Sequence, residues 1–280
     1  MIEQLRETCR RLLEDVKVDV IIGYGQSSPE RPIHAVFITE PDRVDQLIWN
    51  DRCFPNLTVY LTKREVRAFD RVGIVVKGCD ARALVVLEQE KQIDRKTMHV
   101  IGVACDGVGK PLAAKCAPCN VHMPKYVDEV IGTTDSSSSD SNGPYAELDA
   151  LLQKTPADRW AFWKQELARC IKCYACRAVC PTCYCPQCIV DKNRPVCLDT
   201  SATLMGNFAW HITRAFHQAG RCTGCDECTR VCPVGINLSL LNRSLARAAE
   251  NEFSYRAGVD PETLPPIGAY SLQDKENFIL

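Results

Sequence analysis

Eight cysteines in the second half of the chain fall into two runs of identical spacing. Cys170, Cys173, Cys176 and Cys180 form C-x-x-C-x-x-C-x-x-x-C, closed by Pro181, and Cys222, Cys225, Cys228 and Cys232 repeat it, closed by Pro233. Thiolates at this spacing hold [4Fe–4S] clusters, and the duplication implies two of them. The chemistry is one-electron transfer between adjacent iron–sulfur centres. Three thiolates separated by pairs of residues ride on one tight loop, each binding a different iron, while the fourth ligates the other cluster. The expected ligand sets therefore cross: Cys170, Cys173, Cys176 and Cys232 for one cluster, Cys222, Cys225, Cys228 and Cys180 for the other. The prolines turn the chain away and bring no competing amide donor. A Cys₄ zinc site is the competing use, but it usually shows two C-x-x-C pairs rather than two full four-cysteine runs.

Ten cysteines remain of the eighteen. Cys79, in KGCDAR, and Cys105, in ACDG, each follow a short apolar run that reads as a strand. A right-handed strand–helix–strand unit would set both at the carboxyl edge of one parallel sheet, where open α/β sheets bind ligands. Cys116 and Cys119 follow in C-x-x-C spacing, so these four thiols are candidates for a third [4Fe–4S] cluster. The plainer reading is that Cys79 and Cys105 are small buried hydrophobes and that Cys116 and Cys119 bind nothing. Cys183, Cys185, Cys188 and Cys197 offer four more thiols at a spacing that matches no iron–sulfur or zinc rule; they read either as a further metal site or as packed free thiols. Cys9 and Cys53 stand alone and read as structural.

Other chemistry is thinner. Gly23 and Gly25, in GYGQSS, follow the first apolar run, and a glycine turn there would let backbone approach a phosphate or a flavin. The full G-x-G-x-x-G spacing is absent. Lys77, Asp80 and Arg82 flank Cys79, either polarising a bound cofactor or forming a solvated strand end. His211 and His217 read as packing residues rather than ligands.

The elements that must position these residues divide the chain. Val18–Ile22, Ile33–Thr39, Leu57–Leu61, Val72–Val76 and Met98–Ala104 read as strands, and the segments after Pro41, Lys63–Phe69 and Ala81–Gln89 as helices. That alternation argues for a mostly parallel sheet covered by helices. Residues 1–132 are thus expected to form an α/β domain, 133–157 a flexible linker, 158–245 a helical two-cluster domain and 246–280 a tail. The linker is marked by the polar stretch Thr133–Pro144, and the second domain by a helix over Ser201–Gly220 between the cysteine runs. Lysine plus arginine is 34 and aspartate plus glutamate is 35, which gives no electrostatic case for nucleic-acid binding. No apolar run is long enough to span a bilayer, and no secretory leader is visible in MIEQLRETCRRLLEDV. Clustered thiols in such a chain point to a reducing cytoplasm.

KGCDARAL, the strand ending GVAC and KCAPCNVHMPKYVDEVIG together resemble the beta subunits of deazaflavin-dependent hydrogenases and formate dehydrogenases. Cys79, Cys105, Cys116, Cys119, Asp128 and Gly132 occupy comparable places, although Gly78 stands where proline is expected. WKQELARCIKCYACRAVCPTCYCPQC is similar to the ferredoxin portion of the formate dehydrogenase beta subunits. The resemblance implies an α/β domain with a mostly parallel sheet plus a helical two-[4Fe–4S] ferredoxin-like domain. It implies an electron-transfer subunit without a catalytic residue of its own. Its partners would be a formate dehydrogenase or hydrogenase catalytic subunit and a heterodisulfide-reductase-like flavoprotein or other acceptor. The alternative is a flavin-containing reductase subunit, with FAD as cofactor, acting directly on a soluble hydride carrier.

Overall fold

The computed structural model describes residues 1–134, 146–191, 195, 199, 201–270 and 272. Cys197 lies outside the described residues, as does part of the polar stretch after Thr134. Helix α1 (Ile2–Glu14) is amphipathic and buries Leu5, Cys9, Leu12 and Leu13 against the sheet core. The strands are β1 (Val20–Gly25), β2 (His34–Ile38), β3 (Val72–Val76), β4 (Met98–Val103) and β5 (Glu129–Ile131), in the order β2-β1-β3-β4-β5. β1, β3, β4 and β5 run parallel, with Val76 opposite Gly102 and Val103 opposite Ile131. β2 is antiparallel to β1, since the connection between them is too short for a crossover. The all-buried runs VIIGYG and VGIVV are what strands covered on both faces require.

The structure departs from the expected elements in several places. Leu57–Tyr60 is a 3-10 turn, not a strand. Buried Asn56 starts it by accepting hydrogen bonds from Thr58 N at 3.1 Å and Thr58 Oγ1 at 2.6 Å. Residues 63–69 form turns rather than a helix. β5 was not anticipated because three residues carry too little pattern. Gly23 and Gly25 lie inside β1, not in a turn after it. A Cβ on either would come within 2.2 Å of Leu47 or Val36, so their glycine character serves packing.

Helix α2 (Gly78–Gln89) follows β3. The remaining helices are α3 (Ala146–Leu152), α4 (Pro156–Ala168), α5 (Ala175–Ala178), α6 (Leu204–Gln218), α7 (Glu227–Arg230) and α8 (Leu238–Phe253). α3 falls within the stretch expected to be linker, and its Leu148 and Leu151 pack with Leu240 of α8. α4 is capped by Thr155, whose side chain accepts from Asp158 N, and α6 by Thr203, which accepts from Gly206 N. After α8 the chain returns to the first half. Tyr255 and Ala257 pack on Val86 of α2, and Arg82 donates to the Ala257 carbonyl at 2.7 Å. Among the described residues, no helix is long and apolar enough to cross a membrane.

Candidate functional site

The two cysteine runs fold alike, residue for residue. Tyr174 and Asp226, each just after the second cysteine of its run, adopt left-handed backbone at φ 57° and 56°. Each starts a one-turn helix, α5 or α7, that carries the third cysteine, Cys176 or Cys228. Two residues after the first cysteine, Lys172 and Gly224 are also left-handed, at φ 56° and 73°. The matching backbone bonds recur: Cys180 N to Arg177 O and Cys232 N to Thr229 O, then Cys183 N to Cys180 O and Gly235 N to Cys232 O. Left-handed residues of this kind gather where a loop is over-determined by a site.

Each loop opens on a hollow. Cys170, Cys173, Cys176 and Cys232 line one, against Trp210 and His211. Cys180, Cys222, Cys225 and Cys228 line another, against Gln218 and Asn242. The thiols are thus brought together in crossed sets of four. Among the described residues, no three of His, Cys, Asp or Glu converge tightly enough to hold one metal ion. The donors surround spaces rather than points, and a set of four thiols around a space is the donor chemistry a [4Fe–4S] cluster takes. Burial pushes the Cys176 thiol up to about 11 and the Cys222, Cys225 and Cys228 thiols up as well, so they keep their protons until a bound cation displaces them. Cys180 is the exception. A hydrogen bond from Cys183 holds its thiol below the ordinary range although burial opposes.

Further side chains reach the sulfurs. His211 Nε2 lies 3.3 Å from Cys170 Sγ, and the imidazole is held down to about 3, by burial first and then by Arg214 and Lys172. Ile236 N donates to Cys232 Sγ at 3.3 Å, and Asn242 Nδ2 to Cys228 Sγ at 3.6 Å. Arg214, Gln218 and Asn242 were not singled out from the sequence. The signal was present in α6, where Asn207, His211, Arg214 and Gln218 share the buried face with Trp210 and Ala215. Polar residues on the buried stripe of a helix require partners, and the cysteine loops supply them.

The other cysteines divide. Cys79 opens α2 after β3 and Cys105 follows β4, so both stand at the carboxyl edge of paired parallel strands. Cys79 feels the charge of Cys105, Cys105 that of Cys116, and Cys116 that of Cys119. Cys53, read as a lone structural thiol, is fully buried and also lies within range of Cys105. Lys77 is buried among its own partners, donating to Asp80 Oδ2 at 2.8 Å, to the Pro55 carbonyl at 2.8 Å and to Tyr24 OH at 2.5 Å. Cys183 sits behind Cys180, where Gln218 Nε2 donates to its sulfur at 3.3 Å. Cys188 packs with the core around Trp210, and exposed Cys185 lines one groove with Cys183.

The sheet edge and the second loop meet. Lys115, buried beside Cys116, donates to the Phe54 carbonyl at 3.0 Å and the Cys225 carbonyl at 3.3 Å, and its ammonium is 3.8 Å from Glu227. Arg82 is half-buried within range of both Cys79 and Cys222, its guanidinium lowered to about 10, chiefly by desolvation and then by Arg256.

No family model matches the sequence. The F420-dependent formate dehydrogenase 1 subunit beta of Methanococcus maripaludis is 33% identical over an alignment of 355 residues, covering 92% of this chain and 90% of that protein. The chain belongs to the family of F420-dependent formate dehydrogenase beta subunits. The F420-dependent formate dehydrogenase subunit beta of Methanocaldococcus jannaschii is 31% identical over 106 residues, which is 38% of this chain but only 27% of that protein. A solved structure of the F420-reducing [NiFe] hydrogenase complex from Methanosarcina barkeri, xenon-derivatised, matches at TM-score 0.30 and 17% identity over 37% of this chain and 38% of that one. That likeness carries no argument. In this beta subunit Gly78 has a local reason to replace proline: a Cβ there would fall 2.0 Å from the Val121 carbonyl oxygen, just beyond Cys119.

Proposed function

We propose that this beta subunit is the iron–sulfur electron-transfer subunit of a multi-subunit oxidoreductase. The observation that carries the reading is the pair of hollows, each lined by one crossed set of four thiols. Cys170, Cys173, Cys176 and Cys232 would hold one [4Fe–4S] cluster and Cys180, Cys222, Cys225 and Cys228 a second. Cys79, Cys105, Cys116 and Cys119 would hold a third at the sheet edge. Bound clusters supply one-electron acceptance and release at fixed positions. The chain's own residues do the rest. Exposed Cys173 and Ile171 put the first set at the surface, where a partner can approach. Lys115 and Arg82 tie the second set to the sheet edge. His211 and Asn242 reach ligand sulfurs and so bear on potential.

In this reading residues 1–132 are the α/β domain, 158–245 the helical two-cluster ferredoxin-like domain, and 246–280 a tail, of which Tyr255 and Ala257 pack on α2. A catalytic subunit of formate dehydrogenase or hydrogenase type stands on one side. A heterodisulfide-reductase-like flavoprotein or another acceptor stands on the other, in the cytoplasm. The test is anaerobic analysis of the full chain. We expect about eight iron and eight sulfide from the paired runs and about twelve of each with the sheet-edge set. Dithionite-reduced protein should pass electrons to an added partner only when this chain is present. Iron near zero in protein purified without oxygen would end the reading.

One observation favours a second reading, a flavin-containing reductase acting directly on a soluble hydride carrier. A broad groove is lined by Lys63, Arg64, Arg67 and Arg177 together with Tyr174 and Tyr184, a cationic and aromatic lining suited to an anionic ring compound. The curated relatives are named as F420-dependent. Stoichiometric flavin in the purified chain, with turnover of such a carrier, would favour it over the relay.

A further inference from the structure

The long insert between the cysteine runs carries α6, and one face of that helix lies along both thiol sets. Asn207 Nδ2 donates to the Cys170 carbonyl at 2.8 Å, and His211 Nε2 is 3.3 Å from Cys170 Sγ. One turn on, Arg214 Nη2 donates to the Cys176 carbonyl at 3.1 Å. One more turn on, Gln218 meets Cys180 Sγ at 3.7 Å and Cys183 Sγ at 3.3 Å. Helical spacing therefore seats Arg214 between the residue that touches the first set and the residue that touches the second.

Arg214 is unusual in three respects. It is 4% exposed. No carboxylate pairs with it among the described ion pairs, and its Nε has no hydrogen-bond partner. The thiols within range of its charge belong to both sets: Cys176 to the first, Cys180 and Cys228 to the second, with Cys183 behind. Burial opposes the charge, and the surrounding sulfurs outweigh it. A buried guanidinium without a carboxylate is unfavourable unless anions face it. Four thiolates around an iron–sulfur core, more so with an added electron, are such anions.

We propose that Arg214 is a positioning residue whose fixed positive charge, set between the two thiol pockets, raises the reduction potential of both clusters together and weakens their mutual repulsion. This rests on the two-cluster reading above. Each reduction adds one electron and no proton, so the negative charge on a pocket rises by one. A cation shared by both pockets offsets that charge wherever the electron resides. It thereby keeps the two potentials close enough for electrons to pass either way.

The experiment compares the full-length chain with Arg214→Met, Arg214→Gln and Arg214→Lys, purified anaerobically, assayed for iron and sulfide, and titrated with dithionite under EPR. In the neutral variants both clusters should become harder to reduce, each by about ten-fold in its one-electron equilibrium, or about 59 mV. Arg214→Lys should keep most of the difference. If the neutral variants fail to load the eight iron of the paired runs while Arg214→Lys loads fully, the charge is needed to hold two clusters and the proposal stands. Unchanged potentials, a shift confined to one cluster, or Arg214→Lys behaving like Arg214→Met in loading or potential would overturn it. A wild-type chain without iron would instead sink the cluster reading, so the two failures are distinguishable.

Discussion

The two cysteine loops share a backbone but not a setting. In the first, Cys173 and Ile171 are exposed, Ile171 at 59%, and the hollow is walled by Trp210, Val234, Ile236 and Leu238. In the second, the hollow is walled by Thr182, Gln218, Glu227, Ser239 and Asn242, and Lys115 seals it against the sheet edge. The same loop geometry has been given one outward setting, beside exposed Cys173 and Ile171, and one inward setting, tied through Lys115 to the sheet edge. Potential in such clusters follows hydrogen bonding to sulfur and exposure, not spacing. Duplication of the motif therefore does not duplicate the setting: one loop stands beside exposed residues, the other against the rest of its own chain.

The largest effect should come from removing a crossed ligand. Cys232→Ala lies in the second run but should empty the first hollow, and Cys180→Ala should do the reverse. Each variant should fall from about eight iron toward about four in the paired region. The iron that remains should differ in access: sheltered in Cys232→Ala, exposed in Cys180→Ala. A chelator challenge reads this directly. If Cys232→Ala kept the labile iron and lost the sheltered iron, the sets would not cross.

The spacing of the cysteine runs made the two matching loops legible from sequence: both fold on the same backbone, with a left-handed residue and a one-turn helix at the same place. The parallel strands β3 and β4 were legible for a related reason: VGIVV and MHVIGV are apolar on both faces. What stayed hidden depends on partners far away in the chain. Leu57–Tyr60 looks like a strand until buried Asn56 captures Thr58. Lys77 reads as a cofactor contact until it is found closed in with Asp80, Tyr24 and the Pro55 carbonyl. Arg214 reads as one basic residue on a helix until the fold buries it against the Cys176 carbonyl, on the helix face between His211 and Gln218. Removal of one member of the Lys77–Asp80 pair, as in Lys77→Met, would leave a buried charge, and such losses run to about 3–5 kcal/mol.

A smaller effect tests the difference in exposure in the unmodified chain. With an excess of iron chelator under dithionite, the iron of the paired runs should leave in two phases of about equal size, about four atoms each. The fast phase should carry the EPR signal that Cys232→Ala lacks. A single phase would mean that the two loops open together, and the contrast of outward and inward sites would lose its footing.

The smallest effect isolates backbone from surroundings. Lys172 and Gly224 hold the same place in the two loops, and both are left-handed. For a residue with a Cβ this conformation costs about 1–2 kcal/mol. Gly224→Ala should incur that cost and also crowd Arg243, whose guanidinium carbon lies 3.0 Å from the new Cβ while it holds Asp226 and the Gly224 carbonyl. Lys172→Gly should relieve the same strain in the first loop. It also removes the ammonium that donates to the Gly206 carbonyl at 3.1 Å and sits 5.3 Å over the Trp210 ring, worth about 0.5–1 kcal/mol. The extra freedom of glycine in the unfolded chain takes a further ~0.4–1 kcal/mol. Lys172→Gly should therefore shift the urea midpoint of the loaded protein little, while Gly224→Ala lowers it clearly. Equal shifts would mean that the two loops are not held by the same backbone geometry.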